Sequence, residues 1–371
     1  TKNKKIKKMK TICIIGGGIV GVSTAFYLSS KLNLDEDVKI VIVEANEIAG
    51  SASGKAGGFL ARDWHRGKDA SLARLSFSLH ESLAKEIGAE NIGYRQCEAV
   101  QVTCPSSVSS KMWYDSNGER TVIAEKSTAA QVIPYKLVGE MLKRTKSTSV
   151  QIGTVTNVKR VDEDHLEVIF ATKSTTEKIH ANVVMFACGP WTSQVMENCG
   201  IKFPTNVLGQ KAASVLLKAK NMKKVPDSML FLDWRGDPRA GELEVYPRLD
   251  GIYVCGCGES PCMVREHPKD VKTSEIATKV LTDCASIVSP KHLKDAEVLR
   301  STACYLPVTN CGVVAGFVEK DIYVATGHSC WGILNGPATG RGMAEIIASD
   351  LFHDKSLLGE CGKLLIKSFS P

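Results

Sequence analysis

Residues 11–44 read TICIIGGGIVGVSTAFYLSSKLNLDEDVKIVIVE, and the reading of this stretch decides the fold. TICII at 11–15 is a short, wholly apolar run, the pattern of a strand buried on both faces. Three glycines follow at once. Beyond them Val22, Phe26, Leu28 and Leu32 fall at helical spacing within 19–32. VKIVIV at 38–43 is a second buried strand, closed by Glu44. Strand, loop, helix and strand occupy about 35 residues, the size of a βαβ crossover.

Gly16–Gly17–Gly18–Ile19–Val20–Gly21 joins the first strand to the helix with G-x-G-x-x-G spacing. The first glycine permits a tight turn, the second lets a pyrophosphate reach the backbone, and the third lets helix pack on strand. The helix start offers unpaired N–H groups and the positive end of its dipole. Glu44 ends the second strand, where a carboxylate can accept both hydroxyls of an adenosine ribose. The segment therefore predicts a dinucleotide site, with Ile19, Val20 and Ala45 beside the phosphates and ribose.

Outward from this unit, 46–62 (NEIAGSASGKAGGFLAR) is rich in Gly, Ala and Ser and reads as a loop around a bound group. A helix is predicted near 70–88, a strand at 98–104, and a helix over 135–145 behind Pro134. Strand-like runs at 150–160, 165–171 and 179–186 lead to Gly189–Pro190. Short strands at 211–217, 228–234, 243–247 and 252–257 predict a separate antiparallel sheet. A helix at 273–288, strands at 313–318 and 321–325, a Gly-rich turn over 327–342 and a helix at 341–352 complete the pattern. The expected organisation is a basic leader at 1–10, a nucleotide-binding domain in three pieces (11–95, 134–200, 301–371) and a substrate domain in two (96–133, 201–300).

The chain has 371 residues, 43% hydrophobic and 23% charged, as in a well-cored soluble enzyme. No apolar run approaches the ~18–20 residues of a membrane helix. The net charge of +7 is concentrated in TKNKKIKKMK, which holds six lysines. The remainder is nearly neutral, which argues against nucleic acid as a partner. The leader reads as a solvated tail, or alternatively as a weak contact for anionic lipid or a processed organelle-targeting remnant. Thirteen cysteines without a CxxC pair, mostly in apolar runs, suit a reducing compartment, and the cytoplasm is expected. Cys255, Cys257 and Cys262 have no histidine or further cysteine at ligand spacing, so no metal site is expected.

Five segments carry a resemblance. They are the glycine loop with Glu44, GSASGKAGGFLA at 50–61, IPYKLVGEML at 133–142, NVVMFACGPWTSQV at 182–195 and VATGHSCWGILNGPATGRGMAEII at 324–347, with YPRLDGIYVCG at 246–256 in support. In this order they resemble the superfamily of D-amino acid oxidase, glycine oxidase and sarcosine oxidase, FAD-dependent oxidoreductases. GHSCWGI with YPRLDG is similar to a eukaryotic branch of it. The resemblance implies an α/β protein with a discontinuous Rossmann-like FAD-binding domain and an inserted mixed or antiparallel β-sheet substrate domain. It implies FAD, held non-covalently, with Ser51, Ser53, Gly57 and Gly58 in the loop around the cofactor and Val155 at the adenine. Ala187, Gly189 and Trp191 match a turn beside the cofactor. Gly327, His328, Trp331, Gly332 and Ile333 match the segment at the flavin's pyrimidine edge.

The departures bear on the substrate. Positions where relatives place an arginine or lysine for a substrate carboxylate fall near Tyr305 and Trp331. Arg62, or else Arg300 or Arg248, is a candidate replacement, and His328, Tyr305 and Arg62 are the catalytic candidates. Tyr305 and Trp331 are alternatively an aromatic wall suited to an apolar amine or a cation. Cys304 lies one residue from the position at which sarcosine oxidases attach flavin covalently. The implied reaction is oxidation of a C–N bond in a small amine or amino-acid-like substrate, with molecular oxygen as acceptor. Two alternatives stay open: a dehydrogenase with another acceptor, and a non-catalytic FAD-binding protein in trafficking or assembly. Oligomeric state is left open.

Overall fold

The first predicted strand forms as Lys10–Ile15 and lies inside a six-stranded sheet. The computed structural model describes residues 9–31, 38–105, 112–115 and 120–371; the first eight residues of the basic leader and Leu32 lie outside it. Strand order is Val314–Glu319, Ile322–Thr326, Val183–Phe186, Lys10–Ile15, Val38–Glu44, Thr148–Ile152. Every neighbouring pair is parallel except the first, a hairpin at the edge. Ile12 and Ile14 join one core, against the helices, while Cys13 and Ile15 join another on the opposite face. Burial on both sides is why the run is apolar without alternation.

The second face is covered by an antiparallel meander, Thr154–Arg160, Leu166–Ala171 and Thr176–Ala181. Two expected strands are therefore each divided. The run at 150–160 breaks at Gly153, where a Cβ would lie 2.6 Å from the Phe170 ring. The run at 179–186 breaks at Asn182, whose side chain accepts from Thr11 N–H (2.9 Å) and donates to the Asp164 carbonyl (3.0 Å).

Helices Ile19–Phe26, Gly67–Ile87, Pro134–Lys143, Gly332–Leu351 and Glu360–Ser368 pack on the first face. The helix expected at 341–352 begins nine residues earlier, through text read as a turn. Its glycines are spacers for a close helix crossing. A Cβ on Gly336 would lie 2.5 Å from Ile19, and one on Gly340 2.3 Å from Ser23. Pro337 is accommodated by a neighbouring helix: His80 Nε2 lies 2.9 Å from the Ile333 carbonyl and Ala338 N–H donates to Ser76 Oγ (3.1 Å).

The inserted layer is a seven-stranded sheet in the order Glu297–Val308, Leu208–Lys218, Gly251–Gly256, Glu244–Arg248, Ser228–Trp234, Glu98–Cys104, Arg120–Ala124. It is antiparallel but for the parallel pair of Ser228–Trp234 with Glu98–Cys104. Helix Glu275–Val288 packs on it through Val280, Leu281, Cys284 and Val288. Among the described residues no helix is long and apolar enough to cross a membrane, and no group of three or more His, Cys, Asp or Glu is placed to hold a metal.

Candidate functional site

A cleft opens at the carboxyl ends of Lys10–Ile15, Val38–Glu44 and Val183–Phe186. Chain connections leave Lys10–Ile15 and Val183–Phe186 toward opposite faces of the sheet here, the point at which such sheets bind ligands. The glycine loop is its floor. Gly16 has φ +114°, and a Cβ there would lie 2.3 Å from the Ala187 carbonyl oxygen. A Cβ on Gly21 would lie 2.1 Å from the Gly16 carbonyl oxygen. Backbone is thus the only thing either position can present.

Glu44 organises the loop. Its carboxylate accepts from Gly17 N–H (2.7 Å) and Asn46 N–H (2.9 Å). Burial pushes its pKa up, and these two donors oppose that shift. Ser53 Oγ accepts from Ile19 N–H (2.9 Å), tying the 50–58 loop to the helix start. Helix Ile19–Phe26 has neither a side-chain cap from Gly18 nor an acid in its first turn. The same holds for helix Gly332–Leu351, which enters the cleft through Gly332 and Ile333. Two helices, of 8 and 20 residues, thus turn their positive ends, with no acid in the first turn, on one cleft, an arrangement that favours anionic groups.

Of the sequence-predicted residues, Gly16, Gly18, Ile19, Val20, Glu44, Ala45, Ser51 and Ser53 line the cleft, as do Val155, Ala187, Gly189, Trp191, His328, Gly332 and Ile333. Gly21, Gly57, Gly58 and Gly327 shape it from behind: Gly57 lies flush against the Tyr246 and Tyr253 rings, and Gly58 and Gly327 back onto the Val132 and Gly312 carbonyls. His328 is buried beside Thr339, with Nε2 3.0 Å from Oγ1. Burial pushes its pKa down to about 4, so the ring is neutral at physiological pH.

The other catalytic candidates are not brought together. Arg62 lies outside the cleft, 41% exposed, and pairs with Asp63 (2.8 Å), which also holds Arg74 (2.8 Å). Arg248 is buried and bidentate to Asp250 (2.8 and 2.6 Å), with a third bond to the Ala56 carbonyl (3.1 Å). Arg300 stacks over Tyr135. Each guanidinium is already engaged. Tyr305 donates its hydroxyl to Glu266 (2.9 Å) and packs with Val264 and Val271 near Trp191, because a buried phenol needs an acceptor. Trp331 turns elsewhere, 6.1 Å from Trp64 and 4.5 Å from His65. The expected wall of Tyr305 and Trp331 does not form. Trp331 joins Phe59, Trp64, Phe231 and Tyr246 instead. Cys304 is buried and does not line the cleft, and burial pushes its thiol up to about 11.

Two features had no signal in the sequence. Residues 265–268 cross the cleft, fastened by Trp191 Nε1 to the Glu266 carbonyl (2.8 Å) and by His267 Nε2 to Thr154 Oγ1 (3.1 Å). Glu244 sits among the aromatic rings, accepting from Tyr246 Oη (2.5 Å). A lone strand glutamate looks no different in sequence from a surface one.

Fold and cleft define a dinucleotide-binding protein of the doubly wound α/β class with a second sheet inserted. Residues 11–346 match the family described as FAD dependent oxidoreductase, and the chain belongs to that family. A Schizosaccharomyces pombe protein named "Putative oxidoreductase C1F5.03c" is 29% identical, over 91% of this chain and 94% of that one. The crystal structure of glycine oxidase from Bacillus cereus is similar with a TM-score of 0.72 at 20% identity, covering 92% of this chain and 97% of the other. That of L-proline dehydrogenase from P. horikoshii gives 0.71 at 18%, covering 92% and 94%. The chain is an FAD-dependent oxidoreductase. Its donor set fits the cofactor: the glycine cradle and helix start would hold the pyrophosphate, and Glu44 would hold the ribose.

Proposed function

We propose that this enzyme oxidises a carbon–nitrogen bond of a small amine or amino-acid-like substrate, with molecular oxygen as the electron acceptor. When bound, FAD supplies the hydride-accepting chemistry. The chain's own residues orient and polarise. The observation that carries the reading is the first turn of helix Gly332–Leu351, without a side-chain cap or an acidic residue and facing the cleft beside the neutral His328. Backbone donors there hold positive potential where negative charge must be accommodated during reduction, without a titrating group that would vary it. The names of the similar structures, glycine oxidase and L-proline dehydrogenase, support a nitrogen-bearing substrate. The seven-stranded sheet and its aromatic cluster provide the wall on which such a substrate rests. The cofactor is not attached through Cys304, whose thiol is buried outside the cleft.

The test is a panel of amines and amino acids supplied to the purified holoprotein in air, with peroxide and reduction of an artificial acceptor both followed. Peroxide formation supports the reading. Acceptor reduction without peroxide makes the chain a dehydrogenase, and neither signal with any compound overturns C–N oxidation.

A further inference from the structure

Ala56 and Cys330 line the cleft, and each adjoins a side-chain cluster on the inserted sheet. Gly57 lies against Tyr246, and Trp331 follows Cys330 into the rings of Trp64 and Phe231. Within this cluster stands a carboxylate. Glu244 Oε2 accepts from Tyr246 Oη (2.5 Å) and Cys255 Sγ (3.4 Å). Among the described residues no cation pairs with Glu244, and its Oε1 has no hydrogen-bond partner. A half-buried carboxylate without a counter-ion is costly to the fold. Burial raises its pKa accordingly.

The nearby cations are committed elsewhere. Arg248 is held by Asp250, Lys55 Nζ donates to the Ala303 carbonyl (3.0 Å), and Arg62 pairs with Asp63. His65, edge-on to Trp331, has its pKa lowered by burial and adds no positive charge at neutral pH. Arg265 does line the cleft, but on the segment fastened to Thr154, next to the adenosine-side residue Val155. The cluster therefore offers a carboxyl group that a bound cation would hold ionised, and ring faces, with no free cation. That is the complement of an ammonium group and is hostile to a carboxylate.

We propose that Glu244, with the rings of Tyr246, Phe231, Trp64 and Trp331, recognises the ammonium group of an amine that carries no carboxylate beside its nitrogen. This rests on the amine-oxidation reading and narrows its substrate class. Trp64, Phe231 and Tyr246 pack on one another and on Phe59, with centroids 4.9–5.7 Å apart, while Glu244, Phe231, Trp64 and Trp331 are each only half-buried and keep an open face.

The experiment is calorimetric titration of the holoprotein, with the flavin's visible spectrum recorded in parallel, using tetramethylammonium, tert-butanol and anthranilate. Tetramethylammonium is expected to bind and perturb the spectrum. The neutral isostere and the anionic ring are each expected to bind at least tenfold more weakly, and Glu244→Gln is expected to weaken tetramethylammonium at least tenfold. Anthranilate or tert-butanol binding as tightly as the cation overturns the proposal. So does absence of cation binding, or an unchanged affinity in a folded, flavin-loaded Glu244→Gln. If that variant fails to hold FAD, the wild-type comparison of cation with isostere decides alone. No arm requires turnover. Glu244-dependent cation binding without oxidation of any amine sinks the catalytic reading and leaves the recognition site. Oxidation of an amino acid together with tight anthranilate binding does the reverse.

Discussion

Replacing His80 by leucine tests how the cofactor-facing helix is held. Pro337 lies six residues into helix Gly332–Leu351 and has no N–H to give the Ile333 carbonyl. His80, fully buried on helix Gly67–Ile87, replaces that donor: its Nε2 is 2.9 Å from the Ile333 oxygen and 3.2 Å from the Leu334 oxygen. Burial pushes its pKa down to about 4, so the ring is neutral, with its one N–H on Nε2 and no partner on Nδ1. Leucine keeps most of the volume and removes the donor. An orphaned buried acceptor costs about 1–3 kcal/mol, and loss of the unpaired Nδ1 returns part of this, so the net cost is roughly 1–2 kcal/mol. The assay is urea unfolding of the holoprotein for wild type, His80→Leu, Pro337→Ala and the double variant. Alanine at 337 restores an N–H for the Ile333 carbonyl, so His80→Leu should cost about 1 kcal/mol less in that background. Additivity within ~0.3 kcal/mol would show that His80 does not stand in for the N–H missing at Pro337, as would a neutral His80→Leu in the wild-type background.

Gly340→Ala should destabilise by roughly 1–3 kcal/mol, because the new Cβ meets Ser23 at 2.3 Å and the backbone at 2.8 Å; denaturant unfolding checks it. Gly16→Ala should purify with little or no flavin, read from the ratio of visible to protein absorbance, since its Cβ meets the Ala187 carbonyl at positive φ. Gly139→Ala, with nothing within 4 Å, should keep its flavin and gain roughly 0.5–1 kcal/mol. Stability should fall as pH drops from 6.5 toward 4. His80 and His328 bind protons more weakly folded than unfolded, so the unfolded chain takes up more protons across that window, at roughly 3 kcal/mol for each imidazole. His80→Leu should flatten this acid limb in a pH series of unfolding midpoints.

The nucleotide-binding unit was legible because its signals are local. TICII, the glycine loop, the following helix and VKIVIV each follow from a few adjacent residues, and Glu44 falls where the second strand must end. What stayed hidden depends on distant partners. Gly336, Pro337 and Gly340 read as a turn because nothing in 327–342 reveals that Ile19, Ser23 and His80 are waiting to receive a helix there. Arg62 looked available because Asp63 and Arg74 form their pairs only in the folded surface. Tyr305 and Trp331 looked like partners, although one turns to Glu266 and the other to Trp64. The strand Glu297–Val308 went unread because its first half is exposed and lacks alternation. Glu244 reads as an ordinary strand residue because the donors that meet it, Tyr246 Oη and Cys255 Sγ, come together only in the folded sheet.

C–N oxidation, as proposed for this enzyme, requires that an amine bound beside the FAD reduce it. The most direct measurement is anaerobic mixing of the holoprotein with a panel of primary, secondary and aromatic amines, followed at the flavin's visible band. At least one amine should bleach this band, and the oxidised spectrum should return when air is admitted. A flavin that dithionite reduces but no amine or amino acid bleaches would contradict C–N oxidation.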